Sequence, residues 1–233
     1  MKKINIVAGL LAGLLSFTSC SDYLDRTPDD QTTEQQVFTR FDKVESLVTD
    51  LYARAKYSLH PLIYFSHFSL SSISDECSAS SHEGAIPHQF HVGNYGPSQG
   101  MPGSAGQYWD DIYYAIRNAN IIFEGVKKYN TPDNPQDGRE GDLRRRMGEV
   151  YFLRGYLHLQ LIRSYGEAVY MDRVIYPGDD MTFEKESFHS MVEKICADAD
   201  SAYARVDAWN GGQYFGRVDK GACLGLKAMA RWL

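Results

Sequence analysis

The chain is short of cysteine, of excess positive charge and of long apolar runs, and each shortage removes a class of explanation. Four cysteines stand in 233 residues, at Cys20, Cys77, Cys196 and Cys223. Apart from Cys20 the set is odd and scattered, which argues against a disulfide framework. Cys196 and Cys223 fall within apolar helical patterns and are expected as small core residues. Lysine and arginine number 24 against 30 aspartate and glutamate, a formal net charge of −6. So acidic a chain carries no electrostatic footprint for nucleic acid. Strand pattern is scarce beyond "EAVYMDRVI", which could form a short extended piece. No phosphate loop, nucleophile motif or cofactor fingerprint is present, so neither an enzyme nor a cofactor is expected.

The one long apolar run, Ile4 to Phe17, falls short of the ~20 residues a spanning helix needs. Lys2 and Lys3 precede it and the small residues Thr18 and Ser19 follow, the pattern of an export signal. Phe17-Thr18-Ser19-Cys20 resembles a bacterial lipobox, although Phe17 stands where an aliphatic residue is usual. In such a box the cysteine is acylated, for example with palmitate, and becomes the mature N-terminus. Ordinary secretion with an incidental cysteine is the alternative. The reading takes residues 1–19 as a lipoprotein signal peptide, Cys20 as the lipidation site and 20–32 as an acidic tether. Loss of Lys2 and Lys3 leaves 22 basic against 30 acidic side chains, or −8. Membrane attachment then rests on the acyl chains, of which several hold stably where one is marginal.

The remainder, 33–233, has helical periodicity. Thr33 and Gln36 have capping-box spacing, and Thr39 with Asp42 offers a second helix start. Phe41, Val44, Val48, Leu51 and Ala55 mark one apolar face, and Trp109, Ile112, Ile116, Ala119 and Val126 mark the next. "TPDNPQDGREGD" breaks the chain. A third helix is expected from about Leu143 to Tyr165, a fourth carries Phe188 to Val206, and a fifth begins near Lys220 after "WNGGQYFGR". Helix pairs separated by long loop insertions point to an all-α fold of stacked helical hairpins, spaced far more loosely than the ~34 residues of the tetratricopeptide repeat. The last residues, "LGLKAMARWL", carry no stop signal, and we expect an incomplete version of a longer protein.

Four blocks, in order along the chain, resemble the SusD/RagB family of outer-membrane nutrient-binding lipoproteins, in its amino-terminal half. They are "CSDYLDRTPDDQTTEQQVF"; Trp109, Tyr113, Ile116 and Asn120; "GEVYFLRGYLHLQLIRSYGEAVYM"; and Ile195, Asp198 and Ala202 with "GRVDKGACLGLKA". Val169 stands where that family usually has proline. The resemblance implies a tetratricopeptide-type scaffold, normally followed by a second, carbohydrate-facing portion. It implies a SusC-like TonB-dependent transporter barrel as partner, over which the lipoprotein sits as a lid. The ligand would be an oligosaccharide, with peptides as a variation. The place would be the outer membrane of a Gram-negative bacterium, lipid-anchored and facing the cell surface. A scaffold or lid without its own ligand site is the rival reading.

The region 58–107 is polar, glycine-rich and aromatic, and long loops of this kind tend to carry function. Sugars are bound by aromatic faces and by planar polar groups. Asp75, Glu76, His82, Phe90, Asn94 and Tyr95 are therefore the candidate ligand-binding residues. The resemblance points to the same loop through Ser74-Asp75-Glu76. The plainer alternative has Asp75 capping a helix and Tyr95 filling the scaffold. Cys77, His82, His88 and His91 lack the paired close ligands of a structural zinc site, so no metal is expected. Asp110 and Asp111 should point to different sides of one helix. Glu149 and Arg154, inside an apolar helix, should satisfy one another or nearby carbonyls.

Overall fold

The computed structural model describes residues 32–59, 72, 74–76, 86–94, 96, 105–130 and 139–233; of 56–59, 86, 105–107 and 213 it describes the backbone alone. Helices α1 (Glu34–Phe38), α2 (Phe41–Leu59), α3 (Ile86–His91), α4 (Ala105–Tyr129), α5 (Glu140–Tyr165), α6 (Phe188–Tyr203) and α7 (Lys220–Trp232) follow in order. The starts obey local chemistry. At α1 the Gln36 N–H donates to the Thr33 hydroxyl at 3.3 Å, and the Thr33 N–H donates back to Gln36 Oε1 at 2.9 Å. Ser187 caps α6 and Asp219 caps α7, accepting from the N–H groups of Ser190 and Ala222. Thr39 does not open α2 as expected. Its hydroxyl donates to the Gln35 carbonyl, which closes α1 instead.

Helix α5 is the axis of the fold, packing against α2, α4, α6 and α7, while α6 and α7 pack on each other. Every residue from Leu153 to Ile162 is buried. A helix enclosed on all sides cannot show a clean amphipathic stripe, and here it buries polar side chains as well. Around it Val44, Val48, Leu51, Ile112, Ile116, Leu157, Leu161, Met191 and Ile195 form the main core. Each such aliphatic side chain contributes ~1.5–3 kcal/mol on burial. Cys196 belongs to that core and Cys223 to a smaller cluster with Ala202, Val206 and Val218, as the sequence suggested. Tight approach of α6 to α5 depends on Gly148 and Gly155. A Cβ at Gly155 would stand 3.1 Å from the Asp198 Cβ, and one at Gly148 2.8 Å from the Arg205 Cβ. The fold is all-α, in stacked helical layers of the tetratricopeptide kind. Among the described residues no helix is long and apolar enough to cross a membrane.

Residues 167–175 form neither helix nor strand. Side chains from the helices stand in for the missing strand neighbours. The Tyr113 hydroxyl donates to the Val169 carbonyl at 2.9 Å and accepts from the Val169 N–H at 3.1 Å. Asn120 Nδ2 donates to the carbonyls of Met171 and Arg173, at 3.0 and 3.2 Å. Half-buried backbone groups of the segment thereby gain partners.

Candidate functional site

Two buried polar networks cross the helical stack, and they account for most of its internal charge. In the first, Arg154 reaches from α5 to α6. Its Nε and Nη2 donate to Asp198 Oδ2 and Oδ1 at 2.9 and 2.6 Å, and its Nη1 donates to Asn120 Oδ1 at 3.0 Å. The Tyr170 hydroxyl adds a 2.6 Å bond to Asp198 Oδ2. The rings of Phe123 and Tyr151 lie 4.9 and 5.5 Å from the guanidinium. His158 completes the group, stacked on Tyr170 at 4.1 Å. Its Nε2 accepts the Met171 N–H at 3.1 Å, so its Nδ1 carries the proton toward the Arg154 carbonyl at 2.9 Å. Burial holds this imidazole down at about 3, with the nearby Arg154 charge acting the same way. Burial likewise pushes the Tyr170 phenol well up, so it remains a donor.

The second network joins α2, α5 and the approach to α7. Glu149 accepts from Arg146 Nη1 at 2.7 Å and from Arg217 Nη1 at 2.6 Å. Arg146 also grips Glu45 Oε1 through Nε and Nη2, at 3.1 and 2.7 Å. Burial pushes the Glu149 carboxyl up, against the pull of the two guanidiniums. Glu149 and Arg154 therefore do not satisfy one another. Arg154 pairs with Asp198 on α6, and Glu149 with Arg146 on its own helix and with Arg217 before α7, because five positions along a helix separates their faces.

Asp198 is engaged inside the core, whereas Asp200 is exposed and holds Lys227 through two 2.7 Å bonds. Asp110 and Asp111 are both exposed. Among the described residues no group of three or more His, Cys, Asp and Glu side chains could hold a metal ion. His88 is half-buried and His91 exposed on α3, while Cys77 and His82 lie outside the described residues.

The candidate binding residues divide among three situations. Asp75 and Glu76 are exposed in a bend, where the Glu76 N–H donates to the Ser74 hydroxyl at 3.3 Å. Phe90, half-buried on α3, and the exposed Asn94 stand on one capped turn. That turn closes through Gly93 N–H to Phe90 O at 3.0 Å and Asn94 N–H to Gln89 O at 2.8 Å. Gly93 has φ +68°, a conformation glycine adopts without steric cost. Tyr95, His82 and Cys20 lie outside the described residues. The roles of Tyr170 and His158 went unnoticed in the sequence. The signal was there in "YLHLQ", a histidine at the centre of an enclosed helix, which demands two hydrogen-bond partners.

Residues 22–228 match a SusD-like family described as starch-binding and associating with the outer membrane. No curated protein matches the chain. Among solved structures, a SusD-like protein of Bacteroides fragilis is similar at 23% identity over 88% of this chain and 37% of its own, with a TM-score of 0.65. A SusD homolog of Bacteroides thetaiotaomicron is similar at 19% identity over 88% and 38%, with a TM-score of 0.66. A laminarin-binding SusD-like protein is similar at 19% identity over 79% and 40%, with a TM-score of 0.60. The chain thus spans about two fifths or less of the length of these structures, which share its fold. The blocks around Trp109, Arg154 and Asp198 all fall within the matched span, and the chain belongs to the SusD-like family.

Proposed function

We propose that this chain is the scaffold portion of a cell-surface lipoprotein that binds oligosaccharides and delivers them to a SusC-like TonB-dependent transporter barrel. The observation that carries the reading is the family match across residues 22–228. The internal chemistry supports it. The buried charges of the helices are spent on one another, so ligand contacts fall to the insertions between helices. Asp75, Glu76, Phe90 and Asn94 stand in the longest insertion, at least three of them open to solvent, with His82 and Tyr95 proposed beside them. Planar polar groups next to an aromatic ring suit a sugar, whose faces are apolar and whose edge is hydroxyl. Anchoring is proposed through acyl chains on Cys20, in an outer membrane and facing outward.

The same internal pairing favours a second reading, in which the helices only hold or gate the barrel. Native gels containing starch, laminarin, xylan or mannan separate the two. The proposal expects retarded migration in at least one gel. Unchanged migration in all of them would overturn it and leave the lid.

A further inference from the structure

The segment between α6 and α7 carries two large exposed rings, Trp209 at 73% and Phe215 at 82% exposure. Exposed aromatics usually ride on loose chain, but this backbone is fixed. Asn210 Nδ2 donates to the carbonyls of Arg217 and Val218, at 3.3 and 2.7 Å. The Lys220 N–H donates to the Asp207 carbonyl at 3.0 Å, which closes the segment at its base. At its tip Tyr214 N–H bonds Gly211 O and Phe215 N–H bonds Gly212 O, both at 3.2 Å. Tyr214 itself is held by the Arg146 guanidinium, 5.2 Å from its ring.

The Trp209 indole is seated on the backbone of Gly211. A Cβ at that position would meet two ring carbons at 2.3 and 2.4 Å. Gly211 has φ −124°, which any residue can adopt, so it is the ring rather than the backbone that requires glycine there. The rest of the indole faces water.

A ring held rigidly in water is ready for something to cover it. A protein interface would call for a contiguous apolar patch with aromatics at its centre. Here the loop around the rings is mostly glycine and polar residues, Asp207, Asn210, Gly211, Gly212 and Gly216 among them, while Val218 is buried and Tyr214 half-buried. An isolated aromatic surface bordered by hydrogen-bonding groups suits a pyranose, which offers one apolar face within a rim of hydroxyls. Resting on the glycan reading above, we infer that the loop 207–219 is a saccharide contact separate from the insertion 58–107. In it Trp209 stacks on a sugar ring and Phe215 supplies a second surface.

The test uses the purified chain against the same four polysaccharides, with binding and melting temperature measured for each variant. Trp209→Ala should weaken binding about tenfold. Trp209→Phe, which keeps a ring, should stay within about threefold of the parent. Gly211→Ala leaves the indole in place chemically but displaces it, and should behave like Trp209→Ala. All three should melt like the parent, since the ring is exposed. Undiminished binding by Trp209→Ala overturns the inference, whether or not Asp75→Ala and Asn94→Ala bind more weakly. Loss of barrel co-isolation in Trp209→Ala, with sugar binding intact, also overturns it and makes the loop a protein contact. Absence of binding by the parent chain overturns the glycan reading and this inference together.

Discussion

Arg154 and Asp198 meet through two near-parallel hydrogen bonds of 2.9 and 2.6 Å, with both side chains less than a tenth exposed. The pair bolts α5 to α6, and Asn120 and Tyr170 tie α4 and the segment 167–175 to the same point. Removing one partner leaves a buried charge unpaired, which costs ~3–5 kcal/mol. Asp198→Ala should lose that much in urea denaturation. The double variant Arg154→Leu/Asp198→Leu should recover most of it, because no charge remains stranded. A double variant as unstable as the single one would show that the network does more than neutralise itself.

The pH dependence of stability should carry the mark of His158. The folded protein keeps this imidazole neutral down to about 3, while the unfolded chain protonates it below 6.5. Between those values the unfolded state binds the extra proton, so stability falls as pH drops through the window. The loss should reach about 2–3 kcal/mol by pH 4.5. His158→Gln should be less stable than the parent at pH 7 yet show a flatter slope between pH 6.5 and 4.5. Parallel slopes in thermal melts would count against the buried neutral tautomer.

Tyr113→Phe deletes the hydroxyl that both accepts from and donates to Val169. Two half-buried backbone groups then lose this partner, at a cost of ~1–3 kcal/mol. Amide exchange at Val169 should quicken far more than exchange in α5. Equal protection in parent and variant would place the anchoring of this segment elsewhere.

Much of the scaffold was legible because helices announce themselves locally. The Thr33–Gln36 box, the apolar face of α2 and the start of α7 at Lys220 all stand where spacing put them. Long-range pairing was not legible. Arg154 finds Asp198 at a separation of 44 residues, and Glu149 finds Arg217 at 68, and periodicity names a face without naming what lies across it. The same limit explains why Trp109, placed on an apolar face by its spacing, is only half-buried against the core. Trp109 lies against Tyr113 and Tyr165, with ring centroids 4.9 and 5.0 Å apart. "EAVYMDRVI" was expected as a short extended piece, yet it forms no strand, and nothing in it told that tyrosine and asparagine side chains would bond its backbone. "WNGGQYFGR" read only as a break between helices, although three aromatics among glycines were a signal of display.

Cys20→Ala should abolish acyl labelling and release the protein from the membrane fraction, because the proposed attachment is through acyl chains on that cysteine. It should also reduce co-isolation with a transporter barrel. Full retention in the detergent phase would contradict lipidation at this position.

The central claim is that the insertion 58–107 takes part in holding a sugar. Calorimetric titration of the oligosaccharide selected by the gels into parent, Asp75→Ala and Tyr95→Ala proteins tests it most directly. Each hydrogen bond to a sugar hydroxyl replaces one to water and nets only ~1 kcal/mol, so stacking must supply much of the affinity. The account predicts weaker binding in both variants, more so for Tyr95→Ala, at an unchanged melting temperature. Full affinity in both would contradict it and leave this insertion no part in the site.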